Sequence, residues 1–207
     1  MIKAVIFDLD DTLYFETDYV KSGFSAVAAA LNNEQLGERL WALFVESPKN
    51  VYQRAGMTEE ECQKSISIYR SHLPKIELSK SVVETLVVLR DRGYILGIIT
   101  DGRPEGQWNK INALGIKEFV SHIIVTDELG GIEFRKPCPK AFELMKQFCD
   151  VEYGEMIYVG DNAKKDFIAP VMLGMKTCHY KSSGLYHSEQ SSADYEILSL
   201  SELLKIL

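Results

Sequence analysis

Short apolar runs alternate with stretches of helical periodicity along most of the chain. Ala4 to Phe7 is an uninterrupted apolar run rich in β-formers, which predicts a strand buried on both faces. Similar runs at Tyr94 to Thr100, Val120 to Thr126, Met156 to Gly160 and Lys176 to Tyr180 predict four more strands, and Tyr195 to Leu198 a short edge strand. Helices fall between them. One opens at Ser79 or Ser81, carries Val82, Leu86 and Leu89, and closes at Arg92-Gly93, a cationic last turn with a glycine stop. Another has Pro104 in its first turn, carries Trp108, Ile111 and Leu114, and ends at Gly115. Pro137 or Pro139 opens a helix through Phe142, Leu144, Met145 and Phe148, and Asn162 to Leu173 predicts one in which Pro170 must lie in the early turns or make a kink. A final helix starts at Ser201. Strands alternating with helices imply right-handed β-α-β units, and so an α/β fold with a layered parallel sheet.

The alternation is interrupted once, directly after the first strand. Thr17 or Asp18 is placed to cap a helix carrying Val20, Phe24, Val27, Ala28 and Leu31, which Asn32-Asn33 ends. A second helix carries Leu36, Leu40, Leu43 and Phe44 and ends before Pro48; a short third segment, Val51 to Ala55, stops at Gly56. Thr58 to Glu61 reads as a capping box leading into a helix through Ile66 that stops near Pro74. No strand is expected in this block. It divides the chain into an α/β core, residues 1–14 and 79–207, and a small helical insertion, residues 15–78, large enough to be a cap and marginal as a separate domain. Ser188 to Ala193 is the stretch most like a flexible loop.

Composition sharpens this picture in a few places. A net charge of −7 over 207 residues argues against nucleic acid, which needs a basic stripe, and means that an anionic substrate would require a locally positive site. The amino terminus has one lysine and a short apolar run broken at Asp8, neither a signal peptide nor a membrane-spanning helix. Cys62, Cys138, Cys149 and Cys178 are scattered with no C-x-x-C pair, so reduced, packed thiols in a cytoplasmic protein are expected, not zinc or disulfides.

The chemistry sits at the carboxyl ends of the predicted strands, the edge where open α/β sheets bind ligands. Strand one delivers Asp8, Asp10 and Asp11, with Thr12; strand two delivers Thr100-Asp101-Gly102; Lys136-Pro137 follows strand three; Gly160-Asp161 ends strand four, with Asp166 five residues later. Each has a bland reading alone, as a turn, a cap or a surface lysine. Together they suit phosphoryl transfer through an aspartyl phosphate. A carboxylate attacks phosphorus, a second gives a proton to the leaving alkoxide and later takes one from water, and a hydroxyl, backbone N–H groups and a lysine hold the phosphoryl oxygens. Crowded carboxylates need a hard cation, and Mg²⁺ suits carboxylate, water and phosphate oxygens.

VIFDLDDT, IITDG, RKP and YVGDNAKKD, in this order, closely resemble the four motifs of the haloacid dehalogenase superfamily in its phosphatase branch. The resemblance implies a Rossmann-like sheet with a mobile helical cap between motifs one and two, and a Mg²⁺-dependent phosphatase acting on a small phosphorylated metabolite. It makes Asp8 the nucleophile and Asp10 the general acid/base. Thr100, Asp101, Gly102 and Lys136 would bind phosphate; Asp8, the backbone carbonyl of Asp10, and Asp161 would hold Mg²⁺. Asp166 would support the metal through water or pair with Lys136. The family often has Asn where Asp101 stands, so this side chain is expected to point away from phosphate. Asp11 has no motif role and is expected to be solvated or to cap. A carboxylate two residues after the nucleophile favours phosphate esters over halides, since the dehalogenase branch lacks that acid.

Weaker candidates are Arg103, better read as a surface arginine at a helix start, Arg135, better read as structural or solvated, and Tyr14, Tyr19, Lys21 and Arg54 in or beside the insertion, of which one or two are expected to face substrate. His72, His122, His179 and His187 have no metal spacing. A phosphomutase uses the same carboxylate pair and is the nearest alternative. A receiver-like signalling module would place its phosphorylated aspartate on a middle strand without a large insertion, and a non-catalytic binding protein would have little reason to carry the whole set. The substrate and the oligomeric state are not legible.

Overall fold

A computed structural model describes residues 1–181 and 191–207. Six strands form one parallel sheet in the order β3-β2-β1-β4-β5-β6: β1 (Ala4–Phe7), β2 (Ile95–Thr100), β3 (His122–Val125), β4 (Met156–Gly160), β5 (Lys176–Tyr180) and β6 (Tyr195–Ile197). This is the doubly wound, Rossmann-like order, in which the chain leaves the central strand toward both edges and opens a crevice at the strands' carboxyl ends. β1 lies between β2 and β4, with Phe7 level with Ile98 and Val159. Both its faces are covered. Val5 and Phe7 pack into one apolar cluster with Leu86, Leu89 and Ile111, and Ala4 and Ile6 into the other with Phe142, Met145 and Tyr158. That two-sided burial explains why the strand reads as a continuous apolar run rather than an alternating one.

Four helices separate β1 from the rest of the core: α1 (Glu16–Ala30), α2 (Leu36–Glu46), α3 (Val51–Arg54) and α4 (Glu59–Ser71). They enclose an apolar cluster of their own around Val20, Phe24, Val27, Leu36 and Leu40. The capping box at α4 forms as expected, with Glu61 N–H donating to Thr58 Oγ1 and Thr58 N–H to Glu61 Oε2. The chain then returns to α5 (Lys80–Asp91), α6 (Pro104–Ala113), α7 (Lys140–Cys149), α8 (Ile168–Leu173) and α9 (Leu203–Ile206). Ser79 caps α5 and Pro104 opens α6, as their positions imply.

Three local differences have physical causes. α1 begins at Glu16, not at a Thr17 or Asp18 cap: the carboxylate of Asp11 accepts the Glu16 N–H at 2.9 Å from outside the helix. The helix expected over 162–173 is only its last turns, α8. Before it, Asp166 Oδ2 accepts the Asn162 N–H and Asn162 Oδ1 accepts the Lys164 N–H, local side-chain bonds that compete with helix. Pro170 accordingly lies in α8's first turn, where a missing N–H costs nothing. β3 starts at His122 and stops before Thr126, which turns into a 3₁₀ segment. Residues 188–190 of the expected loop, and His187, lie outside the described residues. Among the described residues, no helix is long and apolar enough to cross a membrane, and the four cysteines carry no disulfide.

Candidate active site

Parallel register carries Asp8, Thr100 and Asp161 to one edge of the sheet, and the loop after β3 brings Lys136 beneath them. Asp8 is anchored by its N–H on Val159 O at 2.8 Å and is almost fully buried. The Lys136 ammonium, with no exposed surface, lies 2.8 Å from Asp8 Oδ1 and 2.9 Å from Asp166 Oδ1. It also donates to Tyr158 Oη at 2.8 Å. Burial by itself lowers the Lys136 pKa, but Asp166 and Asp8 outweigh it and hold it well above the ordinary value. Asp166 therefore pairs with Lys136, one of the two roles open to it.

Asp8, Asp161 and Asp166 can each bring a carboxylate oxygen within 4.8 Å of the others, and all three are buried. The Asp8 carboxyl is pushed up to about 6 by burial, with Lys136 opposing and Asp166 adding to the rise. Asp161 is pushed up to about 8 by burial and by the charges of Asp8 and Asp166. Three buried hard-oxygen donors, two of them with carboxyls pushed up by burial and by their neighbours' charge, make a set that fits a divalent cation such as Mg²⁺. Gly160 is required at the strand's end, because a Cβ there would lie 2.5 Å from Asp166 Oδ2.

Asp10 stands on the other side of Asp8. Its Oδ1 accepts from Lys110 Nζ at 2.7 Å and from the Tyr14 hydroxyl; its Oδ2 accepts from Gln107 Nε2 at 2.9 Å. Burial pushes the Asp10 carboxyl up, but Lys110 and the three hydrogen bonds outweigh it and hold it below the usual value. Gln107 Nε2 also lies 2.5 Å from Thr100 Oγ1 and 2.9 Å from the Asp101 carbonyl. Gly102, at φ +144°, turns the chain beside that amide. The Asp101 side chain is held by three groups: Oδ1 accepts from Thr126 Oγ1 and the Lys136 N–H, each at 3.0 Å, and Oδ2 faces Lys165 Nζ at 3.2 Å.

Two adjoining cavities open here. One of about 410 Å³ is lined by Asp8, Asp10, Asp161, Asn162 and Lys165. The other, about 260 Å³, lies between Glu16, Tyr19 and Arg70 of the helical block and Gly102, Arg103 and Lys110 of the core. Burial, with Asp10 opposite, pushes Glu16 up to about 7. A larger groove of about 780 Å³ along α1 and residues 73–77 is lined by none of the motif residues.

Of the candidates from the insertion, Tyr14 and Tyr19 reach the site and two do not. Lys21 lies over the Trp41 ring, 4.6 Å from its centroid, and Arg54 is spent on Leu43 O, Ser47 O and Glu46. Arg135 is structural, paired through two nitrogens with Asp127 at 2.7 Å; Arg103 is exposed at the mouth of the smaller cavity. Asp11 caps α1. Sequence reasoning missed Gln107, Lys110, Glu16, Tyr158 and Lys165; His179, given no metal role, has its Nε2 2.9 Å from the Asp161 carbonyl. A signal existed for the first two. Gln107, Lys110, Ile111 and Leu114 lie at helical spacing on one face, so two polar side chains share a core-facing stripe.

Comparison with known proteins adds to this geometry. A family model described as haloacid dehalogenase-like hydrolase matches residues 5–180. The chain is 33% identical to the glyceraldehyde 3-phosphate phosphatase of Pyrococcus abyssi, over 100% of this chain and 94% of that one. It is 26% identical to the pyrophosphatase PpaX of Halalkalibacterium halodurans, over 100% and 97% of the two chains. A solved HAD phosphatase from Thermococcus onnurineus superposes with a TM-score of 0.64 at 25% identity, covering 99% of this chain and 97% of that one.

Proposed function

The chain belongs to the haloacid dehalogenase-like hydrolase family, and from that premise we propose that it is a Mg²⁺-dependent phosphatase of small phosphorylated metabolites, acting through an aspartyl phosphate. The observation that carries the reading is the buried Asp8–Lys136–Asp166 array with Asp161 beside it, a reactive carboxylate with a fixed cation. A carboxylate oxygen of Asp8 attacks phosphorus; the bond to the leaving oxygen breaks and that oxygen takes a proton from Asp10. The Asp10 carboxyl, which burial raises but Lys110 holds low, must first be pushed up by the negative charge of the bound phosphate. Asp10 then takes a proton from the water that attacks the phosphorus of aspartyl phosphate, returning Asp8 and releasing inorganic phosphate. Lys136, the Thr100 hydroxyl and the backbone of Asp101 and Gly102 hold the phosphoryl oxygens, where charge accumulates in transfer. Asp8, the Asp10 carbonyl and Asp161 would hold Mg²⁺, which supplies charge neutralisation for the phosphoryl group when bound.

Residues 15–78 act in this reading as a cap on the core formed by 1–14 and 79–207. Their separate apolar cluster supports a unit that moves as a body, and Glu16 and Tyr19, which line the smaller cavity with Asp10, support closure over it. The 260 Å³ cavity suits a leaving group of a few carbons, the size class of the three-carbon ester named for the Pyrococcus relative. The test is hydrolysis of p-nitrophenyl phosphate, followed by release of inorganic phosphate, by the wild type and Asp8→Asn. Abolished turnover in a variant with an unchanged circular dichroism spectrum is expected; retained turnover excludes covalent catalysis by Asp8.

A further inference from the structure

We propose that Gln107 and Lys110, one turn apart on α6, are positioning residues that hold the Asp10 carboxylate and the Thr100 hydroxyl as one unit and leave Asp10 Oδ2 as the proton-transferring oxygen. The inference rests on the phosphatase reading and deepens it. A carboxylate offers about four lone-pair directions. On Asp10 two are taken at Oδ1, by Lys110 Nζ at 2.7 Å and the Tyr14 hydroxyl, and one at Oδ2, by Gln107 Nε2 at 2.9 Å. The fourth, on Oδ2, has no partner among the described residues, and Asp10 lines both cavities.

The same amide orients a second group. Gln107 Nε2 has only two hydrogens, shared among Asp10 Oδ2, Thr100 Oγ1 and the Asp101 carbonyl, and at 2.5 Å from Thr100 Oγ1 it makes that oxygen an acceptor. The Thr100 hydrogen must then turn to another acceptor, and phosphate oxygens in the crevice are such an acceptor. Lys110 is itself fixed. It is 6% exposed and lies 4.4 Å from the centroid of the Tyr19 ring, so α1 shields the Lys110–Asp10 pair from water. One helix face thereby sets two geometries that the reaction needs together: a proton donor at the leaving oxygen and a hydroxyl at phosphorus. General acid help is worth roughly 10²–10⁴-fold, and misplacement by about 1 Å costs on the order of 10²-fold.

The test compares kcat/KM for an alkyl phosphate, whose alkoxide must be protonated, with that for 2,4-dinitrophenyl phosphate, whose leaving group departs unprotonated. For Lys110→Met the alkyl ester is expected to lose about 10–100-fold more than the aryl ester, with partial recovery in Lys110→Arg. For Gln107→Leu the same differential is expected on top of a rise in KM for both esters, because the Thr100 hydroxyl loses its orientation. Gln107→Leu changes no charge, and its outcome decides the matter if Lys110→Met does not fold. Equal losses on the two esters, or no loss, overturn the proposal. A wild type that hydrolyses neither ester would instead overturn the phosphatase reading beneath it.

Discussion

Replacing Lys136 with methionine is the most direct probe of why three buried carboxylates are tolerated. The ammonium has no exposed surface and sits 2.8 Å from Asp8 and 2.9 Å from Asp166, whose carboxylates are themselves buried. Methionine fills the space but strands both carboxylates, and breaking a buried pair by removing one partner costs about 3–5 kcal/mol. For a chain of this size each kcal/mol moves the melting temperature by about 2–4 °C, so a fall of roughly 6–20 °C is expected at about pH 8. The pH dependence follows from Asp8, already pushed up to about 6 by burial against the pull of Lys136. Without the lysine it rises further. A carboxyl whose folded pKa exceeds its unfolded value binds protons more tightly when folded, so its stabilising contribution is largest at low pH and is lost as pH rises through the folded value. The melting deficit of Lys136→Met is therefore expected to shrink on going from about pH 8 to about pH 5. Adding Asp166→Asn should recover part of it. Calorimetry with EDTA present checks all three. A fall of less than about 3 °C with no pH dependence would refute the view that Lys136 balances this cluster.

Other consequences are equally open to measurement. EDTA is expected to stop phosphate release and Mg²⁺ to restore it; activity that survives chelation would contradict the assignment of Asp161. Because Asp161 stands at about 8 without metal, Mg²⁺ must displace its proton. Affinity by isothermal titration should fall about tenfold per unit of pH below that value, and a flat profile would argue against Asp161 as a ligand. Stability of the metal-free protein should likewise decline as pH rises from about 4 to about 8. Gly160→Ala places a methyl 2.5 Å from Asp166 Oδ2 and should cut kcat through displacement of Asp166; activity within about twofold of wild type would show that Asp166 has room to move.

By itself the sequence determined the sheet, the insertion and the motif residues. A strand buried on both faces must be a short apolar run, and the proposed nucleophile follows it directly. Both patterns are local, which is why the gathering of Asp8, Thr100, Lys136 and Asp161 at one edge of the sheet could be expected from the chain alone. The role of Asp11 was only half legible, because a cap supplied from outside a helix depends on how the chain turns. Lys21 and Arg54 looked as eligible as Tyr14 and Tyr19; only tertiary packing turned the first two onto Trp41 and Glu46 and the others toward Asp10. Tertiary structure alone decided two of the partners of Asp10, since Gln107 and Lys110 lie 97 and 100 residues away in the chain. It also decided the balance of charge. A net charge of −7 says nothing about a crevice where Lys136, Lys110 and Lys165 converge. Apolar burial and motif spacing are written in neighbouring residues, whereas electrostatic pairing depends on distances that exist only once the sheet has brought its strand ends together.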